Sequence, residues 1–219
     1  MHQPTQFPPS PAQASAASRI TLLERWRRRR RPAPPPCSWP VYLTAMLLVM
    51  GTTWVVMLAM GRQPLAPDGS IRLWGRLGPG NSQQFLDWYS LLHIIYGIGW
   101  AGILWLTSRH WPRGWLLVVA LMAAAGWEMA ENTPFVILRY GSTGADPGYA
   151  GDSLVNATGD MLCVLAGFLL ATRLGLWRGV LLAVGLELLV TFMIRDGLVL
   201  GSIMLLHPVE AVRAWHLNA

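Results

Sequence analysis

The stretch GDSLVNATGDMLCVLAGFLLA, residues 151–171, ends as apolar as any lipid-facing helix, yet it begins with Asp152, Asn156 and Asp160 at i, i+4 and i+8. At about 100° per residue these three drift only about 40° per step, so on a helix they form one stripe. A second apolar segment carries Glu128, Glu131 and Asn132 in GWEMAENTP, where i, i+3 and i+4 spacing again selects one face. A third carries His93 with Tyr96 one turn on, and a fourth closes with Arg195 and Asp196. Ionisable groups inside apolar segments cost about 2.5–3.5 kcal/mol each on insertion scales, so a set of them is a functional hypothesis by default.

Two chemistries fit a histidine among carboxylates. One is coordination of a divalent metal, for which His93, Glu131 and Asp160 are the candidate ligands. The other is acid/base work, with one carboxyl kept protonated by burial or by a like-charged neighbour. The candidate catalytic residues are therefore His93, Glu128, Glu131 and Asp160. Asp152, Asn156, Tyr96 and Arg195 are candidate substrate contacts, Arg195 as a clamp for an anionic group. The competing reading is a polar network that only locks helices together, at about 0.6 kcal/mol per interhelical hydrogen bond.

Composition dictates the elements that must hold these groups. The chain has 219 residues, 53% hydrophobic and 13% charged, with 12 Trp. A soluble domain carries roughly 25% charged residues. The apolar residues are bunched into runs near the roughly 20 residues that a bilayer-crossing helix needs. The expected fold is all-α, a polytopic transmembrane bundle of five or six spans over 40–219, behind a disordered tail at 1–39. The spans are expected near 41–60, 81–106, 115–133, 153–171 and 179–194. Asn81 followed by Gln84 resembles the start of the second, and Pro134 ends or kinks the third. Residues 197–206 are too short to cross alone and either join a tilted sixth span or stay re-entrant. His110, His207 and His216 look interfacial or solvated.

All basic residues are arginines, and their excess sits in RWRRRRR, residues 25–31, just ahead of the first apolar run. That placement suits a cytoplasmic anchor against anionic headgroups, not a nucleic-acid face. It predicts a cytoplasmic N-terminus, which brings the start of the second span, the end of the third, the start of the fourth and the end of the fifth to the outer side. His93, Glu128, Glu131, Asp152, Asn156 and Asp160 then meet at one level, in the outer half of the membrane. Cys37 and Cys163 fall on different elements and lack metal-site spacing.

The segments NSQQFLDWYSLLHIIYG, WEMAENTPFVILRY, YAGDSLVNATGDMLCVLAGFLLA and MIRDGLVLGSIMLLHPVEAVRAW, in this order, resemble an uncharacterised family of bacterial inner-membrane proteins, catalogued as a domain of unknown function. The resemblance implies a multi-pass inner-membrane protein and no particular activity. It also implies a second histidine where this chain has Tyr96, and a Cys-x-Cys pair where it reads QPLAPDG. A fainter likeness is to VanZ-like membrane proteins, through a histidine-bearing helix, a glutamate-bearing helix and the pattern Asp152, Asn156, Gly159. These features lead to three readings. The first is a membrane-embedded enzyme acting on an envelope lipid. The second is a non-catalytic envelope or assembly factor with a structural polar network. The third is a small proton-coupled transporter, which lacks a visible inverted repeat.

Overall fold

Helix starts in this chain are set by small polar residues and prolines. In the computed structural model, which describes residues 33–76, 78, 80–108, 110–144, 146 and 148–217, α1 (Trp39–Ala59) opens on Ser38 with a proline in its first turn. Helix α2 (Ser90–Ser108) follows the 60–89 loop. Helix α3 (Arg113–Glu131) ends at Asn132. Thr133 then caps α4 (Pro134–Gly141), accepting a hydrogen bond from Val136 N at 3.4 Å. Ser153 caps α5 (Leu154–Leu174) by accepting from Asn156 N at 3.1 Å. Gly175, at φ 81°, separates α5 from α6 (Leu176–Ile194). Two short helices follow, α7 (Leu198–Leu206) and α8 (Glu210–Leu217).

Five helices, α1, α2, α3, α5 and α6, are long and apolar enough to cross a membrane. They fit an integral, multi-pass membrane protein. The possible sixth span is absent among the described residues: α7 has nine residues, about 13 Å of helix against a hydrocarbon core of about 30 Å. The expected disordered tail and its arginine cluster lie outside the described residues as far as residue 32.

The second span starts nine residues later than Asn81 predicts. Asp87 is the cap instead: its carboxylate accepts from Tyr89 N at 2.8 Å and Ser90 N at 3.1 Å, while Ser90 Oγ accepts from Asp87 N at 3.0 Å. This reciprocal pair satisfies the free N–H groups of the first turn. Asn81 and Gln84 are buried in the loop ahead of it, where Gln84 Oε1 accepts from Arg72 N at 2.6 Å. Leu73, Gly75 and Leu86 also exchange main-chain hydrogen bonds there.

Pro36–Ala219 forms one compact unit with α5 at its centre and α6 as the most exposed long helix. The principal seam joins α2 to α5. It is a backbone contact: a Cβ at Gly97 would strike the Val164 carbonyl, one at Gly167 the Ile94 carbonyl, and one at Gly159 the Phe85 carbonyl. Small residues that let backbones approach are the usual way for helices to associate in lipid. Phe168, Leu104, Leu117 and Ala120 fill the other end of this core. The outward faces are apolar, as at Leu47, Val55, Leu181 and Phe192.

Overpacking such a seam costs about 1–3 kcal/mol. Gly167→Leu should therefore lower the melting temperature of the detergent-solubilised protein by several degrees. Gly99→Ala, whose Cβ meets nothing within 4 Å, should leave it unchanged or raise it. Equal melting temperatures for the two variants would refute the close approach.

Candidate functional site

Three of the sequence candidates converge. His93 on α2, Glu128 on α3 and Asp160 on α5 are all buried, with 5%, 0% and 4% of their surfaces exposed. His93 Nδ1 lies 3.5 Å from Glu128 Oε1, and His93 Nε2 lies 3.9 Å from Asp160 Oδ2. One ligand-capable atom from each of the three lies within 4.8 Å of the others. The gaps are too long for good hydrogen bonds. His93 Nδ1, both carboxylate oxygens of Glu128 and Asp160 Oδ1 have no hydrogen-bond partner. Ser90 stands beside the Asp160 carboxylate, so the residue that helps cap α2 also reaches the centre. The charges facing Glu128 come from further acids, Asp160, Asp152, Glu131 and Asp87.

Glu131 is placed differently. It sits one turn beyond Glu128, beside Trp127. The metal-capable trio is therefore His93, Glu128 and Asp160, with Glu128 where the sequence suggests Glu131. Tyr96 packs edge-on against His93, with ring centroids 5.2 Å apart, and continues onto Trp127 at 6.0 Å.

Asp152 and Asn156 belong to a neighbouring set of polar groups that is hydrogen-bonded throughout. Asn132 Nδ2 donates to Asp152 Oδ2 at 2.6 Å, Asp152 N donates to Asn132 Oδ1 at 2.8 Å, and Tyr149 OH donates to Asp152 at 3.1 Å. Asn156 Nδ2 donates to the Gln84 carbonyl at 2.9 Å and to Asp87 at 3.3 Å, and Ser82 N donates to Asp87 at 2.8 Å. These contacts tie the start of α2, the end of α3 and the start of α5 into one end of the bundle. Burial pushes the Asp152 carboxyl up to about 6 from an ordinary 3.8, against the pull of Asn132 and Tyr149. Burial likewise raises Asp87, against three backbone N–H donors and Asn156.

A third polar group was not legible as a site. His216 is buried, not interfacial or solvated: its Nε2 lies 3.8 Å from Asp196 Oδ1 and its Nδ1 lies 3.3 Å from the Thr143 carbonyl. Tyr89 OH donates to Asp196 Oδ2 at 3.1 Å. The signal available in the sequence was the amphipathic pattern of Glu210–Leu217, which marks a face to bury. Arg195, in the left-handed region at φ 56°, donates to the Trp215 carbonyl at 3.4 Å.

One cavity borders the centre and a second lies among the loops. An apolar groove of about 530 Å³ runs along α2, α3 and α7, with His93 and Tyr96 in its wall beside Trp100, Trp127, Leu198 and Leu205. Helix α7 is fastened at both ends. Glu187 accepts from Leu198 N and Val199 N, each at 2.9 Å, and Arg139 Nε donates to the Leu205 carbonyl at 2.9 Å. A polar pocket of about 360 Å³ lies among the loops, lined by Arg62, Asn81, Asp146 and Asp152.

A family model described as "Protein of unknown function (DUF2585)" matches residues 57–218. The chain belongs to this family. Its bacterial relatives include the UPF0314 protein of Paracoccus denitrificans, 38% identical over 180 residues, covering 81% of this chain and 92% of the relative. The UPF0314 protein of Novosphingobium aromaticivorans is 41% identical over 169 residues, covering 74% and 85%. That of Sinorhizobium fredii is 41% identical over 180 residues, covering 81% and 91%. No solved structure matches. The match spans α2 to α8 and so includes every residue of the three polar groups. The fainter VanZ-like likeness finds no support in these comparisons.

The raised Asp152 carboxyl makes a pH prediction. Between 3.8, its ordinary value, and about 6, the folded chain holds a proton that the unfolded chain has released. Stability from this group is thus complete below the lower value and is lost as pH rises through the upper one. Melting temperature should fall across that window, and Asp152→Asn should flatten the fall. A slope unchanged by the substitution would refute the assignment.

Proposed function

We propose that this protein is a membrane-embedded enzyme acting on an envelope lipid, with His93, Glu128 and Asp160 as its reactive centre. The observation that carries the reading is the contrast between two adjoining polar groups. A network kept only to lock helices satisfies its own atoms, because an unpaired buried polar atom costs about 1–3 kcal/mol. The Asp87, Asn132, Asp152 and Asn156 network does so. The His93, Glu128 and Asp160 group leaves four atoms unpaired, as a centre does when its partner is a substrate or cofactor. The apolar groove at His93 suits the chain of a lipid whose linkage to its headgroup lies at that centre, for hydrolysis or group transfer. Tyr96 and Glu131 stand beside the centre, and Asp152 and Asn156 act through the helix ends they join.

The same reading puts the protein in the bacterial inner membrane with its N-terminus in the cytoplasm, following the arginines at 25–31. The reactive centre then lies in the periplasmic half of the bilayer, which is where an envelope lipid is met.

A deletion strain should accumulate or lack a lipid species, and wild-type protein should restore the profile. His93→Gln and Glu128→Gln should insert and melt like wild type but fail to restore it, with about 100-fold or more lost in turnover. Gly126→Leu, which adds bulk at a groove-lining position where a Cβ meets nothing within 4 Å, should weaken restoration while the centre stays intact. An unchanged lipid profile in the deletion strain would sink the enzyme reading. A loss of several degrees in both centre variants, with activity retained, would return the group to helix locking.

A further inference from the structure

We infer that His93, Glu128 and Asp160 bind one first-row divalent cation, with zinc the default occupant. The inference rests on the reading of these three residues as the reactive centre and gives that centre its chemistry. Three observations carry it. The first is the donor set: one imidazole and two carboxylates offer a nitrogen and oxygens, the mixture that first-row divalent ions take in sites with three protein ligands. Calcium, which wants about 6–8 oxygens, is poorly served by it.

The second is geometry. Ligands about 2.1 Å from a tetrahedral ion stand about 3.4 Å apart. In this trio one ligand-capable atom from each residue lies within 4.8 Å of the others; Glu128 stands 3.5 Å from Nδ1 and Asp160 3.9 Å from Nε2, and an ion takes only one of these nitrogens. Binding therefore requires side-chain rotations that bring both carboxylates to one ring nitrogen. The unpaired atoms, His93 Nδ1, both Glu128 oxygens and Asp160 Oδ1, are the lone pairs that a cation would take up.

The third is charge. Two carboxylates in an apolar bundle, facing Asp152, Glu131 and Asp87, are costly as anions in a low-dielectric setting. A doubly charged cation between a neutral imidazole and two carboxylates leaves the centre with no net charge. The other histidine buried among the described residues, His216, has a single carboxylate neighbour in Asp196. It therefore lacks the third ligand and serves as an internal comparison.

Full-length protein purified in detergent through a tag without histidines, with no chelator at any step, should carry about one zinc or other first-row ion per chain by elemental analysis. After stripping, cobalt(II) should restore visible d–d absorption, and zinc should raise the melting temperature saturably. Asp160→Asn should reduce metal content at least about tenfold and abolish the cobalt bands, while Asp196→Asn should retain both. Should Asp160→Asn fail to fold, the stoichiometry and cobalt spectrum of the wild-type protein decide alone. Metal below about a tenth of an equivalent, with no cobalt bands, overturns the inference. So does metal that follows Asp196 instead of Asp160. Either result leaves the lipid reading standing on the deletion strain's profile. Conversely, one ion per chain with an unchanged lipid profile keeps the metal site and removes the enzyme reading.

Discussion

Backbone-to-backbone contact between α2 and α5 is the constraint on which the centre depends. Gly97 lies against the Val164 carbonyl and Gly167 against the Ile94 carbonyl, each helix giving up a side chain where the other's main chain presses in. Lipid supplies no hydrophobic force between helices, so van der Waals fit and weak polar contacts at such seams must hold them. His93 sits beside Ile94 and one turn before Gly97. Asp160 follows Gly159, which lies against the Phe85 carbonyl, and precedes Val164 by one turn. The glycines thus set the distance at which imidazole and carboxylate face one another. A looser seam would admit a hydrogen-bonding side chain or water between them and quench the group.

The second condition is a rigid frame at the end of the bundle where these residues lie. Asp87 and Ser90 fix the start of α2, Asn132 and Asp152 clasp the end of α3 to the start of α5, and Asn156 joins α5 to the loop before α2. These residues place charge in an apolar bundle but satisfy it locally through main-chain donors and amides. Ser90 belongs to both sets, since it pairs with Asp87 and stands beside Asp160.

The spans were legible as apolar runs of bilayer-crossing length, and the polar stripe because it is periodic. Asp152, Asn156 and Asp160 recur every four residues, and a helix turns that spacing into a face whatever packs against it. Counting turns from the ends of the spans also put His93, Glu128 and Asp160 at one level, and these three meet. Competition and tertiary partners were not legible. Asn81 with Gln84 and Asp87 with Ser90 are both plausible starts, and the second won because its two side chains answer each other's backbone N–H groups. Glu128 and Glu131 share a face by spacing, but only the direction of α3 across α2 decides which meets His93. His216 lies on a short helix that buries its histidine against Asp196, more than a hundred residues from Tyr89 in sequence yet joined to it in one network. No local pattern encodes that pairing.

The arrangement of α7 ties the centre to its surroundings. A nine-residue helix with hydrophobic side chains cannot cross a bilayer, and its free termini would be costly in an apolar setting. Glu187 satisfies its first N–H groups and Arg139 its last carbonyls, so each end is anchored to a different part of the bundle. Gly197 makes the approach of Glu187 feasible, since a Cβ there would fall 2.8 Å from Oε1. Held in this way, α7 stands off α2 and α3 and leaves the groove at His93, where a fully packed helix would have filled it. On the loop side, Asp152 lines the polar pocket while its partner Asn132 donates to the Glu128 carbonyl one turn back along α3. The apolar groove thus reaches the centre directly at His93, whereas the loop pocket is tied to it only through Asp152, Asn132 and the backbone of α3.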